Sequence, residues 1–221
     1  HAAAATEGSS GGVRAGGALD GGDVPGPVPD GQDLYRPPAD MVPGPAGSLV
    51  WYQPTTSPVA GSSAWQFLYR SRSSHGESVL VSGLAIAPAV GAPVDELPIL
   101  IWAQGTPGLA DVCAPSRNLW VPELDRALAA GFLVVVPDGQ GLGARGPAHY
   151  LIGQSEARTT LDAARAASLL PLSSSAGRKV ALWGYSSGGH VVLSAAQAAS
   201  TYAPELEIVG TDETRRLRRG D

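Results

Sequence analysis

The sequence predicts an α/β fold: a mostly parallel β-sheet with helices on both faces, preceded by an antiparallel hairpin. Uniformly apolar runs of strand length alternate with helical patterns, which is typical of parallel strands buried on both faces. Two β-rich segments flank a polar turn ahead of that alternation, which is typical of a hairpin. The 221 residues fit one domain, and a hydrophobic fraction of 43% is enough for a core.

Each element has its own local signal. The hairpin strands are predicted at 65–72 and 79–87, because these β-rich runs flank the polar, Gly-containing turn 73–77. Ser155 and Pro171 are the predicted N-cap and stop of the longest helix. The alternating elements are, in chain order, a strand at 97–103, a helix at 121–130, a strand at 132–136, a helix at 155–170, a strand at 180–183, a helix at 187–200 and a strand at 206–209.

The two ends of the chain differ from its middle. Residues 1–32, rich in Ala, Gly, Ser and Pro, are predicted to be disordered, because they cannot bury enough apolar surface to offset the entropy of ordering. The folded part is predicted at 33–210, and 211–221 is predicted to be a polar, Arg-rich tail. Since the chain begins with His1 and not with Met, we expect a processed or cut chain, for instance one that has lost a signal peptide.

Composition excludes several classes of protein. A formal net charge of −5 argues against a general nucleic-acid binder, which would normally carry a basic face. No run approaches 18 consecutive apolar residues, so the sequence predicts no transmembrane segment. With Cys113 as the one cysteine, neither an internal disulfide framework nor a cysteine-based metal site is expected.

One motif points to chemistry. Residues 184–188 read Gly-Tyr-Ser-Ser-Gly, which matches G-x-S-x-G between an apolar strand and an Ala-rich helix. That context predicts a nucleophile elbow, in which Ser186 projects above the edge of the sheet. Gly184 and Gly188 are the elbow glycines, since side chains there would clash where the strand and helix backbones come close. The alternative is a Gly-rich strand–helix turn without chemistry, as in nucleotide-binding folds.

Two sets of groups are candidates to stabilise an oxyanion. The amide of Ser187 stands at the N-terminus of the helix that follows the elbow. The second donor is expected in the loop after the first parallel strand, where Gly105 permits close backbone approach. The amide or the side chain of Gln104 or of Thr106 could donate, and the residues alone do not separate these alternatives.

Six further segments accompany the elbow in order along the chain. The full set is Asp-Leu-Tyr-Arg-Pro-Pro (33–38), Trp-Ala-Gln-Gly-Thr (102–106), Cys-Ala-Pro-Ser (113–116), Pro-Asp-Gly-Gln-Gly-Leu-Gly (137–143), His-Tyr-Leu-Ile-Gly-Gln (149–154), Leu-Asp-Ala-Ala-Arg-Ala (161–166) and Trp-Gly-Tyr-Ser-Ser-Gly-Gly-His (183–190). As an ordered set, they make the chain resemble the secretory lipase family of α/β-hydrolases, the fungal secreted lipases and their actinobacterial relatives.

The resemblance implies an α/β-hydrolase core and a secreted serine lipase or carboxylesterase that acts on an ester or lipid substrate. In such an enzyme Ser186 is the nucleophile and carries the acyl group of an acyl-enzyme. Gln104, Gly105 and Thr106 form its oxyanion loop together with Ser187. The resemblance implies no metal and no organic cofactor.

The sequence departs from the family pattern after the elbow. In this fold an acid and then a histidine follow the nucleophile, but the one later histidine is His190, four residues on in the same helix. The later acids are Glu205, Glu207, Asp212, Glu213 and Asp221. In the family, the lid, the last strands, the catalytic acid and the catalytic histidine would follow 206–209. We therefore expect this chain to be a lipase that is truncated before these parts. Family members also place Cys113 in a disulfide, for which this sequence holds no partner.

Several alternatives stay open at this point. Upstream residues offer a substitute triad of Ser186, His149 and Asp138, although in the wrong chain order. Otherwise Asp138 caps the backbone amides of 139–141 and His149 packs near Tyr150. The alternative functions are a catalytically inactive fragment, a binding module, and a serine acyltransferase or peptidase. A strand at 206–209 left at a sheet edge predicts self-association through that edge.

Overall fold

The computed structural model describes residues 25–38, 44–89 and 96–214. Over these ranges one mixed sheet has the strand order β1-β2-β3-β4-β6-β5-β7-β8. The elements are β1 (Gly26–Pro27), β2 (Leu49–Thr55), β3 (Ser63–Arg72), β4 (Ser78–Ala87), β5 (Glu96–Ala103), α1 (Leu124–Ala129), β6 (Leu133–Pro137), α2 (Gly153–Ala167), β7 (Ser175–Tyr185), α3 (Ser187–Tyr202) and β8 (Glu207–Thr214), with a 3₁₀ turn at Asp111–Cys113.

The predicted hairpin is confirmed as β3 and β4. The two strands pair antiparallel without a break, from Ser63 opposite Ala87 to Arg72 opposite Ser78. The strand β2, which the sequence did not predict, adds a further antiparallel strand beside β3. Its signal is weak because Pro54 interrupts the run, and proline favours positions near a sheet edge. In the described part of the sheet, only the two-residue β1 lies outside β2.

The second half of the sheet is parallel and has helices on both faces, so the predicted α/β class is confirmed. The strands β6, β5, β7 and β8 run parallel to their neighbours, and β4 joins them antiparallel through β6. All five residues of β6 are buried. Leu133 and Val135 belong to the apolar core that contains residues of α2 and α3, whereas Val134 and Val136 belong to the core that contains residues of α1.

Two predicted helix starts are wrong for local reasons. The helix α1 begins at Leu124 rather than at 121, because Glu123 has a φ of 52° and Pro122 disfavours helical backbone in the residue before it. The helix α2 begins at Gly153, so Ser155 is not its N-cap. Instead Ser155 is buried, and its hydroxyl donates to Gln140 Oε1 at 2.7 Å.

Ordered strands extend beyond both expected limits of the folded part. Residues 26–27 pair with β2, and the amide of Val28 donates to the carbonyl of Tyr52 at 3.0 Å. At the other end, residues 211–214 continue β8 beside β7. The remainder of the predicted disordered segment, residues 1–24, and of the predicted tail, residues 215–221, lies outside the described residues.

A buried carboxylate joins α2 to its neighbours. Asp162 is fully buried and accepts hydrogen bonds from the hydroxyls of Ser71 on β3 and Tyr202 on α3, both at 2.7 Å, and from Arg165 Nη1 at 2.8 Å. Burial raises its pKa despite these donors. The position of α2 matters because its first turns border the site described below. Of the helices described, none is long and apolar enough to cross a membrane.

Candidate active site

The predicted elbow residues form the tight turn that joins β7 to α3. Ser186, between the two elements, has φ 56° and ψ −118°, a combination that non-glycine residues rarely adopt and that costs energy to hold. The turn is fixed by a hydrogen bond from Gly189 N to Ser186 O at 2.9 Å. Ser186 is exposed at the carboxyl end of the parallel strands, the edge at which sites gather in sheets of this kind.

Both elbow glycines are required by close backbone approach. A Cβ on Gly188 would overlap the carbonyl oxygen of Ala103, the last residue of β5. A Cβ on Gly184 would overlap the carbonyl oxygen of Gly188, one turn further along the chain. Because carbonyl groups of the backbone cannot rotate away as side chains can, the observed turn excludes any larger residue at either position.

The predicted oxyanion loop lies directly against the elbow. A Cβ on Gly105 would come within 3.1 Å of Tyr185 O and 3.3 Å of Ser186 Cβ. Thr106 Oγ1 lies 2.9 Å from Ser187 Oγ and 3.0 Å from the hydroxyl of Tyr150. The side-chain oxygen of Gln104 is buried and has no hydrogen-bond partner among the described residues. The structure therefore brings Gln104, Gly105 and Thr106 together with Ser187.

A pocket opens beside this turn, and its wall combines polar groups with an apolar lining. Gln104, Thr106 and Ser187 line it. The apolar part of the wall includes Leu109, Leu142 and Val191. Such a mainly apolar concavity with a few convergent polar groups is typical of small-molecule sites. The described residues contain no group of three His, Cys, Asp or Glu that could hold a metal ion.

Neither nearby histidine is hydrogen-bonded to Ser186. His190 Nδ1 lies 2.7 Å from Glu156 Oε2, on α2. His149 Nδ1 lies 3.1 Å from Ser155 Oγ, and its Nε2 lies 3.3 Å from Gln140 Nε2. Among the residues that the structure describes, no side chain is hydrogen-bonded to the Ser186 hydroxyl.

Asp138 holds neighbouring segments together through hydrogen bonds, but its partners differ from those that the sequence suggested. Its carboxylate accepts hydrogen bonds from Ser82 Oγ at 2.5 Å, from Ser116 Oγ at 2.6 Å and from Ser116 N at 2.7 Å. It therefore joins β4 and the loop after β5 to the end of β6, and contacts neither the amides of 139–141 nor His149. Burial raises the pKa of Asp138 to about 6, against the lowering effect of its three donors.

The described acidic residues that follow Ser186 in the chain lie at the surface or on β8, an edge strand of the described sheet. Glu205 pairs with Arg165 Nε at 2.5 Å, which lowers the pKa of that carboxyl. Glu207, Asp212 and Glu213 lie on β8, whereas Asp221 lies outside the described residues. Cys113 is a free thiol in the described part of the chain, half-buried beside Gly108.

Sequence reasoning missed two residues of this region. Tyr150 reaches Thr106 through its hydroxyl, and Glu156 reaches both His190 and the backbone amide of Leu151, the latter at 2.9 Å. The segment that contains Tyr150 was part of the family resemblance, but no local pattern assigns a partner to its hydroxyl. Glu156 in the first turn of a helix reads equally well as a favourable charge at a helix N-terminus.

The sheet order, the serine turn and the parallel strands beneath it define an α/β-hydrolase. Solved structures agree: the closed state of Candida antarctica lipase A superposes with a TM-score of 0.66 at 25% identity, over 83% of this chain and 45% of that one. The secretory lipase family model matches residues 121–213.

Curated relatives show the same family. A secreted triacylglycerol lipase of Malassezia globosa is 33% identical over 161 residues, which cover 66% of this chain and 34% of the relative. A probable inactive lipase of Mycobacterium tuberculosis is 31% identical over 161 residues, 66% of this chain and 35% of the relative. Together the family model and these relatives support membership of the secretory lipase family. The chain spans less than half the length of the curated relatives it matches.

Proposed function

We propose that this chain belongs to a serine ester hydrolase, a lipase or carboxylesterase, in which Ser186 is the nucleophile. The strained conformation of Ser186, at φ 56° between β7 and α3, is the observation that carries the proposal. Structures keep such strain where the surroundings enforce it, most often at functional sites. Here the elbow glycines leave room for the turn, and the exposed hydroxyl stands where a substrate can reach it.

The reaction is acyl transfer in two steps. Ser186 Oγ attacks the ester carbonyl carbon, the carbonyl π bond opens and negative charge develops on its oxygen. The amide of Ser187 and a donor from the loop 104–106 stabilise that charge. The C–O bond to the alcohol then breaks, the alcohol leaves with a proton, and water hydrolyses the acyl-enzyme to the acid.

The first step requires a base that takes the proton of Ser186. His149 and His190 are both engaged elsewhere, with Ser155 and Glu156, and no described side chain accepts from Ser186. We therefore propose that the 221-residue chain by itself reacts slowly, because a serine hydroxyl without an adjacent base is a weak nucleophile.

The proposed substrates are uncharged esters with apolar acyl chains. The pocket wall carries Leu109, Leu142 and Val191, against which an acyl chain would lose its contact with water. A relative named as a secreted triacylglycerol lipase supports a lipid ester and an extracellular site of action. No metal or organic cofactor enters the proposed steps.

A fluorophosphonate probe tests the nucleophile, because it forms a covalent bond with a reactive serine. We expect slow labelling of the chain that disappears in Ser186→Ala. The matched control is Ser200→Ala, an exposed serine in α3, which should label like the unmodified chain. Labelling that survives in Ser186→Ala would contradict the proposal. Rapid stoichiometric labelling would instead mean that a base is present, and substitutions of His149 and His190 would then identify it.

Turnover of p-nitrophenyl esters gives a second measure. Serine hydrolases that lose their triad retain roughly 10³–10⁴-fold acceleration over water from the oxyanion hole and binding alone. We expect at most that from this chain. A kcat on the order of 10 s⁻¹, a typical enzyme value, would mean that the chain supplies an activating base, and would contradict the expected slow reaction.

A second candidate function is a catalytically inactive hydrolase fold that binds lipid esters. The Ser186 hydroxyl, which has no hydrogen-bond partner among the side chains described, favours it, as does similarity to a relative named as a probable inactive lipase. This function predicts no Ser186-dependent hydrolysis, together with saturable binding of a non-hydrolysable alkyl ether. Hydrolysis that Ser186→Ala abolishes would exclude it.

A further inference from the structure

We infer that Tyr150 is a positioning residue for the oxyanion loop, an inference that rests on the proposed function. Thr106 Oγ1 lies between two other hydroxyls, 3.0 Å from that of Tyr150 and 2.9 Å from that of Ser187. Ser187 is the first residue of α3 and follows the proposed nucleophile directly. The contact with Tyr150 thus fixes one side of the oxyanion loop, and the contact with the elbow fixes the other.

The number of protons on the three hydroxyls limits which of them can donate to which. A threonine hydroxyl has one proton to donate and two lone pairs with which to accept. Thr106 can therefore donate to only one of its two neighbours, and at least one neighbour must donate to it. With both contacts made, one rotamer of Thr106 is favoured. Without the hydroxyl of Tyr150, exposed Thr106 keeps one partner, and water competes for the vacated position.

Tyr150 is itself held from α2 and α3. Leu151, the next residue, has a φ of 56°, which is strained for a residue with a side chain. Its amide donates to Glu156 Oε1 at 2.9 Å, and the other oxygen of that carboxylate lies 2.7 Å from His190 Nδ1. Glu156 is buried. The contacts therefore run from α3 through Glu156, Leu151, Tyr150 and Thr106, and return to α3 at Ser187.

Burial does not place the ring of Tyr150, because the residue is 49% exposed. Its hydroxyl contact with Thr106 is thus the interaction that links it to the oxyanion loop. The backbone of that loop lies against the elbow at Gly105, where a Cβ would already be 2.9 Å from a ring atom of Tyr185. Small displacements of Thr106 consequently change the distance between the loop donors and an oxyanion beside Ser186.

Kinetics distinguish positioning from a role as pocket wall. The oxyanion exists only in the transition state and intermediate, so loosening its donors lowers kcat and leaves KM unchanged. A residue that only contacts bound substrate changes KM instead. We expect Tyr150→Phe, which removes one oxygen atom, to lower kcat about tenfold, less than the roughly 10²–10³-fold cost of removing an oxyanion donor.

The test measures Ser186-dependent hydrolysis of p-nitrophenyl butyrate by the full chain. Tyr150→Phe should lower kcat, Thr106→Val, which removes both contacts of the threonine hydroxyl, should lower it at least as much, and their combination should lower it no further than Thr106→Val alone. Thr106→Ser, which keeps the hydroxyl, should restore most of the rate. Tyr52→Phe on β2, far along the sheet, is the matched control and should be unchanged. An unchanged kcat in Tyr150→Phe, or a raised KM with kcat intact, would overturn the inference.

A second readout does not depend on turnover. Three-bond NMR couplings report the χ1 rotamer of Thr106, which should be single in the unmodified chain and averaged in Tyr150→Phe. If the unmodified chain shows no Ser186-dependent hydrolysis, the proposed function fails and these couplings alone decide the inference. A single Thr106 rotamer in both proteins would overturn it.

Discussion

The stability of this protein should fall as Asp138 ionises. Its carboxylate is buried at the end of β6 and accepts hydrogen bonds from Ser82 and from both the amide and the hydroxyl of Ser116. Burial is the largest effect on this group and disfavours the charged form, whereas the three donors favour it. Burial prevails, and the pKa rises from its ordinary value of 3.8 to about 6.

The sign and size of the effect follow from linkage between protonation and folding. Because the folded state holds the proton of Asp138 more tightly than the unfolded chain, the stabilisation is complete below pH 3.8. It is lost as the pH rises towards about 6. A difference of about two pKa units, at 1.36 kcal/mol each, corresponds to about 3 kcal/mol of unfolding free energy.

The variant Asp138→Asn isolates this contribution, since an amide resembles the neutral acid and does not titrate. Its oxygen can accept from Ser116 N, and its nitrogen can donate to the hydroxyls of Ser82 and Ser116, which can rotate to accept. Urea unfolding of both proteins between pH 4 and pH 7 gives the free energies. As the pH rises across that range, the unfolding free energy of Asp138→Asn should increase by about 3 kcal/mol relative to that of the unmodified chain.

Asp125→Asn, on the exposed side of α1, is the control for a general effect of removing a carboxyl. The reasoning is refuted if the difference between Asp138→Asn and the unmodified chain is constant with pH. The reasoning is likewise refuted if the unfolding free energy of Asp138→Asn falls relative to that of the unmodified chain as the pH rises. The three donors would then outweigh burial and hold Asp138 ionised.

Two other features of the fold give further predictions. In Gly188→Ala the new Cβ meets the carbonyl oxygen of Ala103, so we expect a loss of about 3 kcal/mol or more in urea unfolding, although alanine ordinarily stabilises a helix. Gly210→Ala, where a Cβ meets nothing within 4 Å, is the control, and equal effects at both sites would contradict the packing argument. The strand β8 lies at the edge of the described sheet with mostly exposed residues, so we expect self-association that increases with salt. Size-exclusion chromatography with light scattering at low and high salt measures it, and a stable monomer at both would refute the expectation.

Local signals predicted most of the fold because its elements are set by their own residues. The hairpin β3–β4 and the strands β5 and β6 follow from apolar runs and a polar turn. Two helix starts differ from the prediction. The left-handed conformation of Glu123 places the start of α1 at Leu124, and the buried hydroxyl of Ser155 donates to Gln140 instead of capping α2. The strand β2 was missed because Pro54 obscures its pattern, while pairing with β3 maintains it.

The sequence by itself determined the position of the elbow, because the pattern that predicts it is contiguous in the chain. An apolar strand segment, two glycines around Ser186 and an Ala-rich helix follow one another within about 30 residues, so no distant partner is needed to recognise the pattern. The resemblance to secretory lipases rests likewise on short segments that keep their order along the chain.

Only the tertiary structure decided which side chains meet around that elbow. Thr106 reaches Tyr150 across 44 residues and Ser187 across 81, and Ser82 reaches Asp138 across 56. Hydrogen bonds between hydroxyls and carboxylates depend on distance and angle within tenths of an ångström, which parallel strands and packed helices set and residue patterns do not encode. The sequence therefore predicted the loop and the serine. The fold decided that Tyr150 contacts Thr106 and that both nearby histidines are hydrogen-bonded to residues other than Ser186.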